Sequence, residues 1–492
     1  MKAAENASPR RHVAWALVVG AHRGRGPTVV GIVRATREAG KWTSHAAYLA
    51  NAPAFGYSSA MEHATTPSRS LAVHRLRAGM VGMGMIFDET YRPFFETARQ
   101  RGLYDPRFGL CDIELSAVAS KTGSRASSYK AAAGERIADF RSFAEPNSTA
   151  QLLASGVDFV CVATPDDRHY ESSRAVLEAG KHLLLEKPSV LSLAELDALE
   201  KLARERQVLA KVVYHKLFDP DHKKLRTFVH DGMLKHVNNG YCSLLEPKQI
   251  SGAQFAEWIV GRNPGTYVAV HYIKLIDFTF GGRLTSVTCS GQRGLVGPAN
   301  GTTWDSTQLR LVYRYDDGRE AAFDIHTSWV TPDNFPGYVE QEVQFRFDNG
   351  VWNSHSRKRG VECTIEGHTP FTVKTTMNNH YNGRFVEPTG ERAQRGYGIE
   401  VLEQFAREAA YVEFGGPAAE RTRRLDEMRS FAYNDLGAER QVVAAVQAME
   451  AILAAHAAGR PNGVVHVNHS AGGLVLFEPG NSQPVVLYGP PV

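Results

Sequence analysis

Between His74 and His215 short apolar runs alternate with segments of helical periodicity, and this alternation constrains the fold more than any other feature of the chain. Strand-length runs are read at 76–81 (LRAGMV), 114–120 (ELSAVAS), 157–163 (VDFVCVA), 181–185 (KHLLL) and 210–215 (AKVVYH). Between them lie patterns such as TAQLLASG and SLAELDALEKLARERQ, whose apolar positions recur every three to four residues and whose Ser192 is a helix cap. Strands separated by helices pair in parallel, with helices covering both faces of the sheet. The expected fold is an α/β Rossmann domain with a doubly wound parallel sheet.

Beyond about residue 285 the pattern changes to strand after strand, with TQLRLVYRY, EAAFDIHTSWV, VEQEVQFRF and VWNSHSRKRGVECTIEG separated by turns such as Asp316-Asp317-Gly318 and Asp348-Asn349-Gly350. This predicts a mostly antiparallel sheet in a second, α+β domain. Helices are expected near 397–413 and 438–458, and loop plus a short strand from Pro461 onward. The boundaries follow: 1–73 an N-terminal extension with little order, 74–212 the parallel-sheet domain, 213–460 the α+β domain, 461–492 a tail. Within the extension, Arg10-Arg11 before HVAWALVVGA resembles a twin-arginine export signal with a short apolar core. VVGAHRGRG imitates the glycine turn of short-chain dehydrogenases, but Pro27 is a poor start for the helix that must follow. The other reading is an over-called start, with translation beginning near Met61.

A chain of 492 residues with 43% apolar composition can bury the cores of at least two domains. A net charge of +4 without a dense basic block argues against nucleic acid as the main partner. The five cysteines, Cys111, Cys161, Cys242, Cys289 and Cys363, are far apart and lack CxxC spacing, which fits reduced thiols and a cytoplasmic location. No apolar stretch approaches the roughly 20 residues that span a bilayer. The nineteen histidines show no HExxH or comparable spacing, so no metal is expected.

At the end of the first strand, Gly82-Met83-Gly84-Met85-Ile86-Phe87 gives G-x-G-x-x-F where a dinucleotide fingerprint has a third glycine or small residue. The two glycines permit a tight turn and let backbone N–H groups approach a pyrophosphate at a helix start. Phe87 should hold the following helix off the strand. After the second strand, Ser120, Lys121, Thr122 and Arg125 stand where a carboxylate would grip a ribose 2'-hydroxyl. Hydroxyls and cations suit a 2'-phosphate, so NADP is expected over NAD.

Two further strands end in Ala163-Thr164-Pro165 and Glu186-Lys187-Pro188. With the glycine turn, these resemble the glucose-fructose oxidoreductase, inositol dehydrogenase and rhizopine catabolism (Gfo/Idh/MocA) group of NAD(P)-dependent oxidoreductases over roughly residues 74–460. The resemblance implies a second domain with a large open sheet that carries the substrate face and builds homodimers or homotetramers. It implies that Lys187 lies beside the nicotinamide and hydrogen-bonds the reacting hydroxyl, that Pro188 follows a cis bond, and that Glu186, Ala163, Thr164, Pro165 and His169 lie near the cofactor. For His169, packing or a helix start is an equal alternative.

The family's D-x-x-x-H-x-x-D motif, set in register by Gly281, falls on Tyr267, His271 and Lys274, so only the histidine survives. An imidazole of ordinary pKa, about 6.5, can take a hydroxyl proton as hydride leaves the same carbon. Tyr267 is assigned beside it, and Lys274 to substrate. His215 corresponds to a substrate contact at the end of the fifth strand, and Trp258 either lines the pocket or packs between domains. The expected activity is hydride transfer between NAD(P) and a hydroxyl or keto carbon of a sugar, inositol or related polyol. Its rivals are a relative that uses a tightly bound cofactor transiently, for epimerisation or glycoside cleavage, and a catalytically silent NADP-binding regulator.

Overall fold

The computed structural model describes residues 12–19, 30–38, 41–46, 73–249, 259–296, 302–333, 335, 339–355, 361–362, 376–431, 433–469 and 472–489. The chain divides into two compact units, Met1–Ser70 and Leu71–Val492. In the first, His12–Val19, Val30–Glu38 and Lys41–Ala46 form an antiparallel three-stranded sheet. HVAWALVV carries the β-branched and aromatic residues that favour extended backbone. The remainder of the expected 1–73 extension lies almost wholly outside the described residues.

The second unit opens with five parallel strands that the alternation predicts, β1 (Val73–Val81), β2 (Gly109–Ser120), β4 (Phe159–Val162), β5 (His182–Leu185) and β6 (Ala210–Val212), and a further one, β3 (Arg141–Ala144), that it does not. They pair in the order β3-β2-β1-β4-β5-β6, and short Leu103–Asp105 adds antiparallel to β2. Both faces of the central strands are apolar: Leu184 packs in one core cluster, Leu183 and Leu185 in the other. That two-sided burial explains the uninterrupted leucines. Helix α1 (Arg92–Arg101) follows β1, and α2 (Leu193–Glu205) begins at Ser192, whose hydroxyl accepts the Glu195 N–H at 3.3 Å.

The second sheet has nine strands: β7 (Val237–Pro247), β8 (Arg283–Arg293), β9 (Trp304–Arg314), β10 (Glu320–Thr331), β11 (Glu340–Phe347), β12 (Gly350–His355), β13 (Val464–Asn468), β14 (Gly473–Phe477) and β15 (Val485–Tyr488). Its order is β12-β11-β7-β10-β9-β8-β13-β14-β15; β7 runs parallel to β10 and every other pair is antiparallel. The expected tail, 461–492, is therefore corrected: it supplies three strands of this sheet, because VVHVN and GLVLF form a hairpin that pairs with β8. Helices α3 (Val270–Phe280), α4 (Tyr397–Phe414), α5 (Arg421–Ser430) and α6 (Arg440–Ala457) are among the others of this unit.

The span 213–460 does not stay on the substrate side. Val401, Leu402, Phe405 and Ala409 of α4 join Leu76, Met80 and Phe94 in one core, with Phe405 edge-on to Phe159 at 5.5 Å. A parallel sheet must be covered on both faces, and this helix covers part of one from far along the chain. Its end is tied down electrostatically: Glu413 accepts from His182 Nε2 at 2.8 Å and from Arg421 at 2.7 Å. Cys111, Cys161, Cys242 and Cys289 are free and buried. No helix among the described residues is long and apolar enough to cross a membrane.

Candidate functional site

Parallel pairing brings the carboxyl ends of β1, β4 and β5 to one edge of the sheet, where an open α/β sheet receives its ligand. Gly82 has φ +91°, and a Cβ there would lie 2.4 Å from the Ala163 carbonyl oxygen, so this turn admits only glycine. Gly84 is different: a Cβ there would meet no atom within 4 Å, because the residue faces a cleft of about 540 Å³. Met85, Ile86, Ala163, Thr164, Pro165 and Lys187 also line this cleft. Phe87 is buried, edge-on to Tyr129 at 5.1 Å, and the chain accommodates it by opening with a π-helical turn, Phe87–Tyr91, before α1. An open glycine backbone at a helix start and a buried Thr164 hydroxyl without a hydrogen-bond partner fit a dinucleotide.

The loop after β2 is internally bonded. Ser120 Oγ accepts the Gly123 N–H at 3.1 Å, and the Thr122 and Ser124 hydroxyls lie 2.9 Å apart. Lys121 is exposed. Arg125 crosses to the glycine turn, where it donates to the Asp88 carboxylate and, at 3.4 Å, to the Gly84 carbonyl. Its guanidinium thus lines the cleft with a carboxylate already bound.

Glu186 and Lys187 leave β5 at the floor of the cleft, and the Lys187–Pro188 peptide is cis. The Lys187 ammonium donates to the Tyr267 carbonyl at 2.7 Å and sits 4.0 Å from the centre of the Tyr267 ring. Among the described residues no carboxylate lies within ion-pairing distance of it. Burial draws its pKa below the usual lysine range, against the pull of Glu186, Glu246 and Asp166. Glu186 is buried and accepts from the Tyr91 hydroxyl at 3.0 Å; burial pushes its pKa up to about 7. His169 reaches the Pro188 carbonyl through Nδ1 at 2.6 Å and the Thr164 carbonyl through Nε2 at 2.9 Å. It joins the two turns and lines the cleft.

Tyr267 belongs to a π-helical turn, Gly265–Ala269, that leads into α3 and reaches the cleft. His271 is buried one turn further along, 6.3 Å ring to ring from Tyr214 and 6.5 Å from His215. Its Nδ1 has no hydrogen-bond partner. Here the sequence argument needs correction: burial, followed by the charge of Lys187, holds the His271 pKa well below the ordinary histidine value. His215 is likewise buried, and burial brings its pKa to about 3. Lys274 is corrected as a substrate contact. It is 1% exposed, pairs with Glu439 Oε1 at 2.8 Å and donates to the Ala438 carbonyl at 2.8 Å. Trp258 lies outside the described residues.

Several residues around the cleft have no motif to announce them. Arg262, just before the Tyr267 turn, pairs with Asp167 at 2.9 Å and Asp166 at 3.5 Å, linking the substrate side to the turn after β4. Tyr381 bonds Thr90 at 3.1 Å and packs edge-on to His215 at 5.6 Å. Glu246, at the end of β7, is buried and accepts from the Trp329 indole at 2.8 Å. The available signal for Glu246 is its register, a charged residue in a core-facing position.

A parallel sheet with a glycine turn opening into a cleft and a lysine at its floor, and beside it a largely antiparallel second sheet, make up a Rossmann domain joined to an open-sheet domain. Residues 76–214 match the Gfo/Idh/MocA family model described as "Oxidoreductase family, NAD-binding Rossmann fold". It is 33% identical over 82 residues to the scyllo-inositol 2-dehydrogenase (NADP(+)) IolW of Bacillus subtilis, covering 17% of this chain and 23% of that one. It is 37% identical over 94 residues to the UDP-N-acetylglucosamine 3-dehydrogenase of Acidithiobacillus ferrooxidans, covering 19% and 29%. These matches span less than a third of either relative. Among solved structures, GenD2 from gentamicin A biosynthesis, in complex with NAD, superposes with a TM-score of 0.54 at 18% identity, covering 80% of this chain and 97% of that one. A putative myo-inositol dehydrogenase from Sinorhizobium meliloti gives 0.52 at 18% identity, covering 80% and 100%. At such identity the likeness concerns the fold.

Proposed function

We propose that the protein is an NAD(P)-dependent oxidoreductase that transfers hydride between a nicotinamide cofactor and a hydroxyl or keto carbon of a sugar, inositol or related polyol. The observation that carries this reading is Lys187, an amine with depressed pKa at the floor of the cleft that begins at Gly84. Such a group stabilises a developing alkoxide and also accepts or returns the hydroxyl proton more readily than an ordinary lysine. A bound nicotinamide supplies the hydride acceptor or donor. In the oxidative direction the Lys187 amine takes the proton as the C–H bond breaks; in reduction the ammonium returns it. His271, kept neutral, accepts a hydrogen bond at Nδ1 and orients the hydroxyl. This assigns the proton to the lysine, because a histidine held so far below its usual pKa is a poor acceptor.

NADP is the favoured cofactor: the 120–125 loop has no carboxylate, and Lys121 and Arg125 can meet a 2'-phosphate once Arg125 leaves Asp88. His215 contacts substrate, and the nine-stranded sheet mediates homodimer or homotetramer formation. The free, buried cysteines support a cytoplasmic location.

The test offers NADP+ and NAD+ separately with a panel of polyols, sugars and keto sugars, following nicotinamide absorbance, and in parallel identifies co-purified nucleotide by mass spectrometry. Net reduction with at least one polyol is the expected result. Solvent-isotope exchange into a sugar without net absorbance change selects the transient reading. Cofactor binding with neither turnover nor exchange abandons both for the silent regulator.

A further inference from the structure

Glu246 has no part in the mechanism above, yet a chain of side-chain contacts connects it to Lys187. In β7, Cys242, Leu244 and Glu246 take alternate, buried positions, so the carboxylate continues the core-facing register one step beyond the apolar contacts. In β10, Phe323, Ile325, Thr327 and Trp329 do the same. The two strands run in parallel with Leu245 opposite Ser328, and their last inward side chains meet where Trp329 Nε1 donates to Glu246 Oε2 at 2.8 Å. The Trp329 ring then lies 6.2 Å from that of Tyr267, whose carbonyl and ring hold Lys187.

Burying a carboxylate against a neutral indole is unfavourable unless a positive charge lies within reach. Two other carboxylates act on Lys187: Glu186, which is bonded to Tyr91, and Asp166, which faces Arg262. The imidazoles of His169, His215 and His271 also feel the lysine. Burial pushes the Glu246 pKa up to about 7, against the pull of the Trp329 hydrogen bond and the Lys187 charge and with the repulsion of Glu89.

We propose that Glu246, held by Trp329, is a positioning residue that sets the charge on Lys187 from the substrate side, taking over the electrostatic work of the aspartates absent from the α3 motif. Ionised Glu246 favours the ammonium; protonated Glu246 releases the amine. The pair titrates as a unit, so a proton arriving at one is felt at the other. The catalytic consequence rests on the oxidoreductase reading of Lys187, whereas the coupling itself does not.

The experiment measures Lys187 directly. The full chain, without added cofactor, is labelled with trace acetic anhydride across a pH series, and the Lys187 peptide is quantified by mass spectrometry. In Glu246→Gln the titration midpoint of Lys187 falls by about one pH unit. Glu246→Asp restores part of the shift, and Trp329→Phe, which leaves the carboxylate present but untethered, moves the midpoint less and still measures the coupling if Glu246→Gln does not fold. In turnover, the pH profile of kcat moves in the same direction while KM for the cofactor is unchanged. A merely structural role lowers Tm and leaves the midpoint in place; an unmoved midpoint in folded Glu246→Gln or, where that variant does not fold, in folded Trp329→Phe overturns the proposal. A moved midpoint without turnover of any polyol keeps the coupling and discards the oxidoreductase reading. Turnover with an unmoved midpoint does the reverse.

Discussion

Lys187 and Lys274 are both drawn out of water, and they are held in opposite ways. Lys274 meets a buried carboxylate at 2.8 Å and a carbonyl at the same distance, and Glu439 is further held by the Tyr214 hydroxyl at 2.5 Å. Lys187 has a carbonyl and an aromatic face, while the carboxylates that influence it stand beyond pairing distance. A buried charge whose counter-ion is in place resists any change of protonation and serves as scaffold. One whose counter-ions stand off responds to whatever enters the cleft, and this is the condition under which a lysine does chemistry.

The contrast breaks most decisively at the lysines themselves. Lys187→Ala should reduce kcat/KM by about 10³-fold or more while changing stability by only about 1 kcal/mol. Lys274→Ala should do the opposite, destabilising the fold by about 3–5 kcal/mol because Glu439 is left buried and unpaired. Denaturant unfolding and steady-state kinetics on both variants check the crossing; equal effects on both properties in both variants would falsify the distinction.

A further paired charge sharpens the scaffold side. Burial acts to raise the Glu413 pKa, but hydrogen bonds from His182 and Arg421 override it and lower the value to about 2. Because the folded value lies below the ordinary 4.5, this site contributes its stability in full above pH 4.5 and loses it as pH falls toward 2. The stability difference between wild type and Glu413→Gln, followed by thermal unfolding, should therefore shrink across that window and stay constant above it. On the reactive side the expected effect is smallest. Tyr267→Leu removes the ring but keeps the carbonyl, and should reduce kcat/KM by about 3- to 10-fold, equivalent to ~1 kcal/mol of cation–π contact. No change would leave the carbonyl as the sole anchor of the ammonium.

Lys187 is legible in the sequence because an apolar run that ends in Glu-Lys-Pro can only be a core strand opening at its carboxyl end. Lys274 is misplaced by the same kind of reading. A motif register gives the distance along a helix and says nothing of depth, and the seven residues from Tyr267 to Lys274 rise about 10 Å, enough to pass from the cleft into the core. The ionisation of His271 is invisible for a related reason, since desolvation depends on neighbours such as His215 that lie far away in sequence. Glu246 sits in a stretch, SLLEP, that names no chemistry until β7 is paired with β10. Likewise the order of elements cannot tell that α4 returns to cover the first sheet.

His169 touches two carbonyls, those of Thr164 and Pro188, across one imidazole. The ring acts as a spacer of fixed width between the turns that follow β4 and β5. Neither turn can be lengthened, shortened or exchanged for that of a relative without altering the gap this ring spans. For protein engineering the cofactor floor is therefore one part rather than two, and a transplanted Glu-Lys-Pro turn would need to travel with its histidine and the strand end that the histidine grips.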